Sequence, residues 1–148
     1  MLRTTALVLL AVGIAVPAAA QQAISDPDTI GHCLCLHRDV DARSAAVAST
    51  RQALDQAQAN ATSLSQEVVR QRAQVQVDKD TDIAAFTDLL RRSEAATAQV
   101  NAMQVPAYNN AVAAYNQSVA AYSDACAGRS FDATALARVQ AGLSCPKP

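Results

Sequence analysis

Glycine is missing from every position between His32 and Ala127, and proline appears there once, at Pro106. Tight turns between strands draw on those two residues, so this stretch cannot supply the connections of a β-rich fold. Tryptophan is absent and only 3% of residues are aromatic, which leaves packing to aliphatic side chains. An excess of one charge is lacking too, with 12 basic against 13 acidic side chains. Arg70, Arg72, Arg91 and Arg92 are interspersed with acids. Nucleic-acid binding requires a clustered basic face, so no such partner is expected.

Long apolar runs are missing beyond the first 20 residues. There, Arg3 precedes an apolar run over 6–16 and small residues at Ala18 and Ala20. This is the layout of a secretory signal peptide, residues 1–20, cut before Gln21. A membrane-spanning helix needs about 20 apolar residues, so the run is too short and the mature chain is expected to have no membrane span. The mature chain, 21–148, retains 11 basic and 13 acidic side chains. Its length suits one domain.

Catalytic machinery is also absent. Nucleophilic catalysis needs a base beside an activated serine or cysteine. The only histidines, His32 and His37, flank Cys33 and Cys35 and adjoin no glycine-rich nucleophile turn. The chain is read as a non-enzyme that needs no cofactor.

Four cysteines are present, at 33, 35, 126 and 145. In an exported chain they form two disulfides, because outside the cytosol nothing keeps them reduced. A bond between Cys33 and Cys35 would span one residue and be strained, so both should reach Cys126 and Cys145. Either 33 with 126 and 35 with 145, or 33 with 145 and 35 with 126, satisfies that condition. Symmetry favours the first. Cys33 and Cys126 lie equally far from the segment Asp78 to Thr81, and so do Val40 and Val119, Val47 and Val112, and Leu54 and Val105.

Alanine, the best helix former, dominates the glycine-free stretch. Leu36, Val40, Val47, Leu54, Ala57, Ala61, Leu64, Val68 and Val75 recur at spacings of three and four, marking one apolar stripe on a helix from about Leu36 to Val77. The returning arm repeats one heptad three times. Val105, Val112 and Val119 open the repeats, Tyr108, Tyr115 and Tyr122 follow three residues later, and Cys126 takes the next valine slot. A seven-residue apolar period implies left-handed coiled packing against another helix. The tyrosines would face Thr50, Arg43 and Leu36. They are read as seam residues rather than a sugar-stacking strip.

The expected fold is all-α: a long antiparallel two-helix coiled-coil hairpin over 36–127, turning near 78–81. An N-terminal arm, 21–35, precedes it. A short helix and tail, 128–148, follow and are tied to its open end by disulfides. In the distal half, Ile83, Phe86, Leu90, Thr97 and Val100 continue a stripe that slips by one residue before Val105. Pro106 lies at the slip, which predicts a kink or a short break near Gln104; a full reversal there, giving three helices, is the alternative. Gly128 suits a helix stop, Ser130 or Asp132 a new cap, and Ala133 to Ala141 a short helix. The alanine-rich distal arm buries little area, so another helix is expected to pack on it.

Two clusters invite metal-binding readings. His32, Cys33, Cys35 and His37 alternate soft sulfur and imidazole ligands, suited to copper or zinc if the thiols were free. Asp78, Asp80 and Asp82 resemble the start of a calcium loop, but Ile83 replaces the required glycine and Leu89 the closing glutamate. The aspartates are better placed to solvate the turn and cap the second helix. The function favoured by the sequence is an exported structural or adaptor protein, in the periplasm of a bacterial envelope, binding itself or an envelope protein through its helical faces. The runner-up is a small metal-binding or thiol-redox protein using the His-Cys cluster.

Overall fold

The computed structural model describes residues 23–146; the expected signal peptide lies outside them. Four α-helices account for most of the described chain: α1 (Pro27–Arg72), α2 (Asp80–Gln99), α3 (Val105–Cys126) and α4 (Ala133–Gly142). Among the described residues the only extended pairing is an isolated parallel bridge between Ile24 and Phe131. The fold is all-helical, and two disulfides tie its C-terminal part to the main helices.

Helix α1 starts at Pro27, well before the expected Leu36, so most of the supposed N-terminal arm is helix. The reason is local. Asp26 is the N-cap, its carboxylate accepting from the Thr29 N–H at 2.8 Å and from the Thr29 hydroxyl, and Pro27 fits the first helical position because its missing donor is not needed there. Those contacts, the hydroxyl first, hold the Asp26 carboxyl below its ordinary value of 3.8. A folded value below the unfolded one means the contribution is complete above pH 3.8 and is lost as the pH falls through the lower folded value. The protection of the Thr29 amide relative to its intrinsic exchange rate should fall across that window, and Asp26→Asn should abolish the dependence; an unchanged profile in the variant would contradict the cap.

At its other end α1 stops at Arg72, earlier than the expected Val77, and residues 73–79 form the connection. Arg70 and Arg72 occupy the last turn, where cations interact favourably with the negative end of the helix dipole. Lys79, rather than an aspartate, holds the N-cap position of α2 and makes no side-chain cap bond. Asp80 and Asp82 lie in the first turn of α2, so their contribution there is through the dipole alone.

No break or reversal occurs at Pro106. A π turn, Val100–Gln104, joins α2 to α3, and Gln99, Val100, Gln104 and Val105 all keep right-handed helical dihedrals. The Val105 N–H donates to the Val100 carbonyl. Inward positions explain the widened turn. Phe86, Leu89, Ser93, Ala96 and Val100 alternate by three and four, as do Tyr108, Ala111, Tyr115, Ser118 and Tyr122. Between Val100 and Tyr108, however, lie eight steps where that alternation allots seven. The π turn takes up the extra residue, as such turns do inside otherwise regular helices.

Packing centres on α1, which touches α2, the π turn, α3 and α4. Contacts that advance along α1 step backward along its partner. Cys33 joins Cys126, the His37 ring meets the edge of Tyr122 at 5.7 Å, and the Arg51 guanidinium lies 5.7 Å from the Tyr108 ring centre. Tyr108 and Tyr122 therefore flank residues one beyond the expected Thr50 and Leu36. A cationic or aromatic side chain beside the seam offers these two rings a favourable electrostatic contact, which threonine or leucine does not.

Few side chains are fully enclosed. Ile30, Cys33, Leu54, Leu89, Ala96, Val100 and Cys126 form the buried apolar set, joined by Ser118, whose hydroxyl donates to the Tyr115 carbonyl at 2.8 Å. Val40, Val47, Val105, Val112, Val119 and the three tyrosines are half-buried.

Beyond Cys126 the chain turns through Gly128 at φ 71°, a left-handed value that glycine adopts without steric cost at a helix end. Asp132 then caps α4, accepting from the Ala135 N–H at 2.8 Å.

Candidate functional site

Two regions stand out chemically: the disulfide-bonded base, and the distal end around the α1–α2 connection.

At the base, helical geometry rules out a bond between Cys33 and Cys35. Residues two apart on an α-helix point about 200° from one another, so Cys33 and Cys35 face opposite sides of α1 and cannot bond together. Cys33 meets Cys126 at the end of α3, and Cys35 meets Cys145 beyond α4. The pair at 33 and 126 is buried, each residue 3% exposed, whereas Cys35 and Cys145 are half-buried.

Cys35 borders a cleft of about 520 Å³ between the first turns of α1 and the segment after α4. Asp28, Gly31 and Leu36 line one wall, with Leu143, Ser144 and Pro146 opposite. His32 borders it as well, while His37 turns away, its Nδ1 3.1 Å from an Asp41 carboxylate oxygen. With all four cysteines paired, the sulfurs of the His-Cys cluster are bonded to each other across the base. Among the described residues, no three His, Cys, Asp or Glu side chains come together as a metal site. Asp39 is engaged by Arg43 at 2.8 Å.

The distal end shows the opposite character. Among the described residues, the exposed large apolar side chains fall between residues 69 and 103: Val69 (72%), Val77 (85%), Ile83 (42%), Leu90 (36%) and Met103 (62%). Val69 neighbours the stripe residue Val68 but lies off the stripe, so counting spacings along the seam passes over it. Ion pairs between Arg70 and Glu67, and between Arg91, Arg92 and Asp88, adjoin Val69 and Leu90 along the chain. No helix among the described residues is long and apolar enough to cross a membrane.

Comparison of the chain with protein-family models, curated proteins and solved structures finds no match.

Proposed function

We propose that the chain is an exported structural or adaptor protein of a bacterial envelope, residing in the periplasm and acting without catalysis. In this reading α1 and the α2–α3 arm form an antiparallel coiled-coil hairpin, a rod whose distal face binds a second copy of the chain or another envelope protein through helix–helix contact. The observation that carries it is that exposed Val69, Val77, Ile83, Leu90 and Met103 all lie on the distal side of the Arg51–Tyr108 contact. Exposed apolar side chains mark an interaction surface when they form a contiguous patch, and in this reading these five form one. At 46 residues, α1 extends about 69 Å, enough to hold the distal end far from its disulfide-bonded base. Two disulfides support an oxidising compartment.

Photo-cross-linking tests the reading. A reactive side chain at Val69 or Ile83 should trap a reproducible adduct, either a dimer or one envelope protein, whereas the same group at exposed Ser44 near the base should not. Uncross-linked monomer from all three positions would refute the proposal.

A further inference from the structure

The two disulfides differ in what they hold and in how a reagent can reach them. Cys33 and Cys126 are enclosed between α1 and α3. Cys35, by contrast, lines the open cleft, and its partner Cys145 lies in the extended segment that follows α4. Thiol–disulfide exchange requires in-line approach of a thiolate to a sulfur, so access separates the two bonds kinetically.

What the outer bond restrains is equally distinct. Helix α4 has 10 residues and no buried side chain, and it packs on no helix except α1. An isolated helix of that length is marginal in water. Its visible footing is at Gly31, where an added methyl group would lie 3.7 Å from Val139 Cγ1 and 3.9 Å from Leu143 Cδ1. The Ile24–Phe131 bridge, with the Ile24 N–H donating to the Ser130 carbonyl at 2.8 Å and the Asp132 N–H to the Ile24 carbonyl at 2.9 Å, secures α4 at its N-cap residue and makes no bond to the helix beyond it.

We propose that the Cys35–Cys145 bond is a reducible latch on α4, opened by a thiol reductant while the Cys33–Cys126 bond stays closed. A reductant thiolate attacks one sulfur of the latch, and the other leaves as a thiolate that takes up a proton. A second thiol of the reductant then resolves the mixed disulfide. Cys35 and Cys145 gain two electrons and two protons in all, and the reductant departs as its own disulfide. Opening frees α4 and residues 143–146 from α1 and uncovers the face around Gly31 and Leu36. The long helices remain joined at their base.

Graded treatment of the oxidised full-length mature chain with dithiothreitol, followed by alkylation and peptide mapping, reads the order of opening. Cys35 and Cys145 should be alkylated at least about tenfold faster than Cys33 and Cys126, as expected when access governs exchange. In the half-reduced protein, tryptic cleavage after Arg138 within α4 should accelerate about tenfold, as an unfolding segment becomes a substrate, with cleavage after Arg51 unchanged. Cys35→Ser with Cys145→Ser should reproduce that pattern without reductant. Opening of the inner bond first, simultaneous opening of both, or an Arg138 site that stays protected after the outer bond opens would each overturn the proposal.

Discussion

Replacing the inner pair, Cys33→Ser with Cys126→Ser, should cost about 4–5 kcal/mol: about 3 kcal/mol of loop closure, because with the outer bond still closed the path from Cys33 to Cys35, across to Cys145 and back to Cys126 is roughly 20 residues, and about 1–2 kcal/mol for placing serine hydroxyls where Cys33 and Cys126 are 3% exposed. For a domain of this size the loss corresponds to a melting temperature lower by about 15–20 °C. The outer bond spans 110 residues, yet its removal should cost less. With the inner bond closed, the path from Cys35 back to Cys33, across to Cys126 and on to Cys145 is roughly 20 residues, worth about 3 kcal/mol. That loss falls mainly on α4, which has no buried side chain, so the main melting transition should move little. Circular-dichroism melts of the two double variants decide the ranking. A larger fall for the outer-bond variant would show that α4 contributes to the common core.

Single-residue deletions should give a second, opposite pair of results. Removing Ala113 from α3 turns every later residue by about 100° about the helix axis, which carries Ser118 and Tyr122 off the seam and pulls Cys126 away from Cys33. Loss of the inner disulfide and a melting temperature at least about 10 °C lower are expected, since several contacting residues fail together. Removing Met103, which is 62% exposed within the π turn, takes out the one residue in excess of the three-four alternation. Combined with Pro106→Ala, which restores the donor that a regular α-helix needs, it should leave the melting temperature unchanged or higher and the helical signal intact. Equal damage from both deletions would mean that the π turn has another origin.

Much of this architecture was legible in the sequence, and the omissions have physical causes. Freedom from glycine between His32 and Ala127 made the helical class plain. The mirror placement of Cys33 and Cys126 pointed to their bond. The start of α1 was misjudged because Gly31 and the closely spaced cysteines suggest an irregular arm; the Asp26-Pro27 cap was the available signal, and its contacts with Thr29 outweigh the cost of one glycine in a helix, about 1 kcal/mol. The slip before Pro106 was visible, but an extra residue beside a proline can be met by a kink, a break or a widened turn, and local propensity does not choose among them. Only the continued inward phase of Val100 and Tyr108 does so. At the base, the two pairing alternatives stay open in one dimension and close only when the end of α3 is placed beside Cys33 and the segment after α4 beside Cys35. The exposed distal residues are harder still, because Val69 and Met103 obey no period and their exposure depends on what fails to pack over them.

The placement of Cys33 and Cys35 on opposite sides of α1 also bears on how the molecule assembles. Once oxidised, the chain contains a small covalent ring through 33–35 and 126–145, from which the two long arms emerge already side by side. Pairing of α1 with α3 can then begin among neighbours and zip outward toward Lys79, so contacts distant along the polypeptide become near ones along the cross-linked path. Loop closure, which slows folds built from remote contacts, has been completed before the zipping starts.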